Sequence, residues 1–234
     1  MKVISGVTPT APKILIHGLA GSGKSTLASK LKRPIFLDFE GGLNYIDCDR
    51  TEQITNVDEF YTYLVELYRA ADKKQYDTIV IDSVDWLVRL ITEKAAGIDK
   101  AHLEETLNRS NGGYGNGRQV LINHIRTKLL PTLVALNKKG YGICLIAHSE
   151  RKDLMDAEGY DTTRITPKID VNTMEAFVEW CDNVFYLKNT GGERVLVLEG
   201  DDNVLAKNRL SLTGEAKLDE VDINKLLLPK KGDK

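Results

Sequence analysis

The stretch "KILIHGLAGSGKST", residues 13–26, decides the fold. A short apolar run ends in a glycine-rich loop, and Gly18 to Ser25 read G-L-A-G-S-G-K-S, the full GxxxxGK[ST] pattern. The loop lies between a strand-like run and a stretch of helical period, which is where a phosphate cradle has to sit. Glycines let backbone N–H groups curl around a β-phosphate, and the positive end of the following helix adds to the attraction. Gly18, Ala20, Gly21, Ser22, Gly23, Lys24, Ser25 and Thr26 form the expected nucleotide-binding set. Lys24 would reach the β- and γ-oxygens, and the Ser25 hydroxyl would ligate Mg²⁺. The stretch implies a bound nucleoside triphosphate and leaves its use open.

Length and composition narrow that use. A chain of 234 residues suits one well-buried α/β domain better than two. With 42% hydrophobic and 28% charged residues it reads as an ordinary globular chain rather than a disordered one. The net charge of −2 provides no global field toward nucleic acid, so any such contact has to come from local loops. No apolar run approaches the length of a membrane span, and no secretory leader opens the chain, so a cytoplasmic location and no membrane partner are expected. Cys48, Cys144 and Cys181 are scattered without metal-ligand spacing and read as buried thiols.

Short apolar runs recur at 13–18, 34–39, 78–83, 142–149, 183–187 and 194–200. Unalternating runs of β-branched residues suit strands covered on both faces, as in a parallel sheet. Helical period fills the intervals. Phe60, Leu64, Leu67, Tyr68 and Ala71 share a face within 57–72, with Asn56 as its cap. Leu121, Ile125, Leu129, Leu133 and Leu136 share another within 117–138, where Pro131 is expected to kink the helix. This alternation predicts an α/β fold with a mainly parallel sheet flanked by helices. The last two runs read as a C-terminal β-hairpin turned at Gly191-Gly192. Segments 97–117 and 150–168 fit no element, and the charged stretch from 213 to 234 reads as a frayed tail.

The Mg²⁺ site needs a carboxylate at the end of a neighbouring strand, and "YDTIVIDS" offers Asp82 as that Walker B residue. Its neighbour is Ser83, not the glutamate that many P-loop motors place there to activate water. Any general base therefore comes from another strand. Glu40 follows the run "PIFLDF" at its carboxyl end, where ligands sit in open α/β sheets. Asp38 has the same parity but lies deeper, so Glu40 is the preferred water-positioning base. A solvated carboxylate entering the Gly41-Gly42 turn is the alternative. His148 ends the run "GICLIAHS" and would stand beside the γ-phosphate if that strand neighbours the Walker B strand. A histidine that only bonds a neighbour explains it equally well.

These residues, in order, resemble the RecA/RadA-type core ATPases, and more closely the short phage-encoded members of that family. The carrying stretches are "GLAGSGKST", "FLDFEGGL", "YDTIVIDS", "LIAHSERKDL" with "TPKI" downstream, and "AKNRLSL", spanning roughly residues 12–212. The resemblance implies a RecA-like core over 1–212 that binds ATP and Mg²⁺, with Glu40 as base. It implies a switch role for His148, where RecA proteins carry glutamine and the phage group shares histidine. It also implies that Lys207 and Arg209, a Lys-x-Arg on a late strand, reach the γ-phosphate held by an adjacent subunit. An exposed basic pair is the alternative.

By the same resemblance the assembly is a homo-oligomer, ring or filament, acting on single-stranded DNA in recombination or annealing. A single-stranded-DNA-binding protein is a further implied partner. The loops would supply DNA contacts through Arg109, Tyr114, Arg118, Arg151, Lys152, Arg164 and Lys168, although 150–168 is not net basic and a glycine hinge explains the first loop as well. Two other readings stay open: a small-molecule P-loop kinase using 150–168 as a lid, and an ATP-dependent assembly module with vestigial hydrolysis. The "AKNR" pair and Glu40 have no natural task in the kinase.

Overall fold

The computed structural model describes residues 10–96, 113–155 and 161–228, together with Met1, Val3, Ser5, Gly6 and Leu107. Each apolar run becomes a strand, and the two-residue period of a strand divides its side chains between two faces. The strands are β1 (Lys13–Gly18), β2 (Pro34–Asp38), β3 (Asp49–Arg50), β4 (Thr78–Asp82), β5 (Gly142–Met155), β6 (Asp161–Pro167), β7 (Asn183–Thr190), β8 (Glu193–Val197) and β9 (Glu215–Lys217). Their order across the sheet is β3-β2-β4-β5-β1-β7-β8-β9, with β6 paired to β5 alone. Pairing is parallel from β3 through β7 and antiparallel for β7–β8, β8–β9 and β5–β6.

The helices are α1 (Lys24–Ala28), α2 (Val57–Ala70), α3 (Val84–Ala96), α4 (Asn116–His124), α5 (Leu130–Lys138), α6 (Val171–Trp180) and α7 (Ile223–Leu226). Leu15, Ile35, Leu37, Ile79, Ile81, Ile143 and Leu145 face a core built with α2 through α6. Ile14, Ile16, Phe36, Val80, Cys144, Ile146 and Phe185 face the opposite core, with α1 and α7. Both faces are covered, which is why these runs carry no polar alternation.

Side-chain caps mark the starts of α2, α6 and α7. The Asn56 side chain accepts the Glu59 N–H at 2.9 Å and caps α2, as expected. Phe60 and Leu64 are fully buried, whereas Tyr68, expected on the same face, is 44% exposed. The interruption expected at Pro131 takes the form of a π-helical turn, Ile125–Leu129, with Pro131 in the first turn of α5. Proline offers no N–H to the carbonyl four residues back, and the wider turn absorbs that mismatch without breaking the apolar stripe. Gly191 and Gly192, at φ of +62° and +92°, turn β7 into β8 as the hairpin requires.

Three expectations need correction. Segment 150–168 is a β-hairpin: β5 runs on to Met155 and β6 returns, in register from Ser149↔Pro167 to Met155↔Asp161. Its polar residues hide the strands, because the buried positions described in it, Ser149, Thr166 and Pro167, lie at its base and form no apolar run. The segment from 213 is folded through Leu228, with Leu218, Ile223 and Leu227 buried against the α1 core. Residues 229–234 lie outside the described residues. The late strand expected for Lys207 and Arg209 is a single antiparallel bridge, Val184↔Lys207, followed by a bend. Cys144 and Cys181 are buried free thiols as expected, and Cys48 is half-buried. No helix among the described residues is long and apolar enough to cross a membrane.

Candidate nucleotide-binding site

Parity brings the polar strand ends together. Phe36, Val80 and Ile146 face α1, so Asp38, Asp82 and His148, each two residues further on, emerge on that same side. The register aligns them: Asp38 pairs with Asp82, Asp82 with Ile146, and His148 with Gly18. The β5 strand therefore lies between the phosphate-loop strand and the Asp82 strand. A cavity of about 320 Å³ opens there, lined by Ala20, Gly21, Gly23, Lys24, Ser25, Thr26, Asp38, Glu40, Asp82, His148 and Arg194, among others.

The loop needs its glycines. Gly21 and Gly23 have φ of +73° and +98°, a region that side chains disfavour. A Cβ on Gly18 would stand 2.4 Å from the Leu187 carbonyl oxygen, so β7 packs directly behind the loop. Ser22 is buried, with its hydroxyl unpartnered among the described residues. Lys24 donates to the carbonyls of Gly18 and Leu19, both at 3.1 Å. Burial lowers its pKa, against the pull of Asp82, Glu40 and Asp85.

The carboxylates crowd one another. Burial pushes Asp82 up to about 6; a hydrogen bond from Ser25 opposes this, and Glu40 and Asp38 add to it. Asp38 accepts the N–H groups of Glu40 and Gly41 at 3.0 and 2.8 Å, fixing the turn that carries Glu40. The Ser83 hydroxyl donates to the Glu40 carboxylate. Asp85 accepts from the His148 backbone at 3.1 Å and from its Nδ1 at 2.9 Å, leaving Nε2 as the uncommitted ring nitrogen. Burial raises the Asp85 pKa, but the hydrogen bond from His148 and the charge of that ring outweigh it and hold the group low. Asp85 in turn raises the pKa of His148.

Ser25 and Asp82 are hard oxygen donors already bonded to each other, a set that fits Mg²⁺. Glu40, Asp85 and His148 also place possible ligand atoms within 4.8 Å of one another, yet here those atoms are engaged with each other and with Ser83.

A second histidine ties the strand ends together. His17 is fully buried, with Nε2 2.7 Å from the Leu205 carbonyl and Nδ1 2.9 Å from Ser149 Oγ. A carbonyl only accepts, so Nε2 carries the proton and Nδ1 accepts from Ser149. Burial lowers this histidine to about 4. Its contribution to stability is present above pH 6.5 and is lost as the pH falls toward 4, because the unfolded chain takes up that proton first.

Asp82 has the opposite sign. Its folded pKa of about 6 exceeds the ordinary 3.8, so the ionised carboxylate works against the fold above pH 6 by roughly 3 kcal/mol. Asp82→Asn is therefore expected to be more stable than wild type at pH 7.5 without metal or nucleotide, by about 2–3 kcal/mol. That advantage should shrink as the pH falls through 6 and vanish only below about pH 3, where Asp82 is protonated in both folded and unfolded chains. Urea denaturation of both proteins across this range checks it, and a less stable variant at pH 7.5 would contradict the charge-crowding argument.

The structure does not bring Lys207 and Arg209 to the phosphate loop of the same chain. Lys207 bridges to Val184, and Arg209 pairs with Asp182 at 3.2 Å, at the start of β7 beside Lys13. Gly18 and the cavity lie at the other end of these parallel strands.

Of the residues read as DNA contacts, Arg109 lies outside the described residues. Tyr114 is fully exposed and Arg118 approaches Asp170 at 3.7 Å. On the β5–β6 hairpin, Lys152 is held by Glu150 and the Ile169 carbonyl, and Arg164 by the Asp201 carbonyl. Arg151 and Lys168 are exposed. The Lys168 N–H donates to the His148 carbonyl at 2.7 Å, so the hairpin base is tied to the cavity rim.

Sequence reasoning missed Ser83, Asp85, His17 and Arg194. The "DSVD" stretch, which carries Asp85 into the first turn of α3 just after the Asp82 strand, is the only local signal among them.

Comparison with known proteins agrees with this geometry. The chain is similar to the SPbeta prophage-derived uncharacterized protein YorG of Bacillus subtilis (strain 168), 26% identical over 180 residues. The match covers 76% of this chain and 51% of that protein, so the chain spans about half the length of this curated relative. The family model described as AAA domain matches residues 10–210, which include the phosphate loop, Glu40, Asp82, His148 and both basic residues of "AKNR". With that match over most of its length, the chain belongs to the AAA domain family of P-loop ATPases.

Proposed function

We propose that this chain is a RecA-like ATPase that binds ATP with Mg²⁺ between subunits and acts on single-stranded DNA in phage-type recombination or annealing. The observation that supports it most is the convergence of Lys24, Asp82, Glu40 and His148 on one cavity, from the start of α1, the end of β4, the turn after β2 and β5, with β5 continuing outward as a hairpin.

In this reading Lys24 leaves the Gly18 and Leu19 carbonyls for the β- and γ-oxygens, and Ser25 and Asp82 hold Mg²⁺. The metal supplies charge neutralisation of the phosphates. Glu40, oriented by Asp38 and Ser83, takes a proton from the attacking water as the new P–O bond forms and ADP leaves. His148, fixed through Nδ1 by Asp85, presents Nε2 to the γ-phosphate and transmits its presence along β5. Lys207 and Arg209 act on a neighbour's nucleotide, consistent with their distance from the loop of their own chain. The prophage origin in the relative's name fits a phage setting.

The test is ATP turnover with and without single-stranded DNA, which should rise on addition of DNA.

A further inference from the structure

Arg194 stands on the rim of the cavity with no task in the scheme above. On β8 it shares parity with Leu196 and Leu198, which enter the α1 core, so its side chain is directed to the phosphate-loop side of the sheet. Its guanidinium lies over the loop: the Cζ, Nε and Nη1 atoms are each 3.1 Å from the point a Cβ on Gly23 would occupy. Neighbouring charges of the hairpin are paired, Glu193 with Lys217 and Lys188 with Glu215. Among the described residues, no hydrogen bond or ion pair holds the Arg194 side chain.

Its side of the loop matters. Asp82 and His148 belong to β4 and β5 and Glu40 to the turn after β2, on one flank of β1, while β7 and β8 lie on the other. A triphosphate whose γ-end meets Glu40 therefore has its α-end on the Arg194 flank. A guanidinium presents a fork of donors that matches phosphate oxygens.

We infer that Arg194 grips the α-phosphate end of the bound nucleotide, in the same chain that supplies the phosphate loop. This rests on reading the cavity as a nucleotide site. Because the contact does not involve the γ-phosphate, ATP and ADP should depend on it equally.

The test titrates MgATP and MgADP by calorimetry into Glu40→Gln protein, which prevents turnover, and into the same protein further carrying Arg194→Ala, Arg194→Lys or Lys24→Ala. Arg194→Ala should raise both dissociation constants by the same factor, about tenfold or more, with partial recovery in Arg194→Lys. In the wild-type background the change should appear in KM rather than kcat. Melting temperature without nucleotide should match the unsubstituted protein, since no hydrogen bond or ion pair among the described residues holds the side chain. Unchanged affinities, a loss confined to ATP, or a fall in the nucleotide-free melting temperature would each overturn the inference. If the proteins that retain Lys24 and Arg194 bind neither nucleotide, or Lys24→Ala binds equally well, the reading of the cavity fails instead.

Discussion

Glu40→Gln is expected to lower ATP turnover at saturating nucleotide by about 10²–10⁴-fold while Mg²⁺-dependent nucleotide binding persists. The change is close to isosteric, so the surroundings of the side chain survive. Asp38 still holds the backbone N–H groups at positions 40 and 41, and the Ser83 hydroxyl can still donate to the amide oxygen. Only the ability to accept a proton from water is lost. The neighbour of Asp82 cannot substitute, because Ser83 is a hydroxyl whose proton is already directed at Glu40. Phosphate release and nucleotide binding, measured on the same preparation, separate the two effects. Turnover near the wild-type rate would remove Glu40 from its role.

A second large effect concerns Arg209. If it completes a neighbour's site, Arg209→Ala should depress turnover by about 10³–10⁵-fold, the range for a charge delivered to a phosphoryl-transfer transition state. Lys24→Ala should be equally inactive for a different reason. Mixed in equal amounts and allowed to co-assemble, the two should regain activity, because roughly a quarter of the interfaces then pair an intact Lys24 with an intact Arg209. In the isolated chain Arg209 pairs with Asp182, but its side chain is 62% exposed, and such a pair contributes only about 0–1 kcal/mol. Releasing it costs little beside the gain expected at the neighbour's phosphate. A mixture as inactive as its components would place Arg209 in a role within its own chain.

How much of this was legible in the sequence depends on how local each signal is. The runs that became β1, β2, β4, β5, β7 and β8 were readable because burial on both faces requires unbroken apolar residues. Glu40 and His148 were readable as polar residues ending such runs. The partners that set their chemistry were not, since Ser83, Asp85 and Asp38 meet them only through sheet register and the turn into α3. Arg194 carries no local signal at all, because its position over Gly23 follows from β8 lying two strands from β1. The β5–β6 hairpin is hard to read for the converse reason, as the buried positions described in it, Ser149, Thr166 and Pro167, lie at its base and form no apolar run. The segment after 213 looked like a tail from its charge, yet Leu218, Ile223 and Leu227 were enough to anchor it.

The claim that joins cavity, hairpin and assembly is that ATP hydrolysis at Glu40 is coupled to single-stranded DNA. Steady-state ATP turnover, measured with and without single-stranded DNA over a range of salt, tests it most directly. Turnover should rise when DNA is added, the stimulation should fade as salt weakens the phosphate contacts, and neither response should remain in Glu40→Gln. Turnover indifferent to DNA at every salt concentration, in a protein that hydrolyses ATP through Glu40, would contradict it.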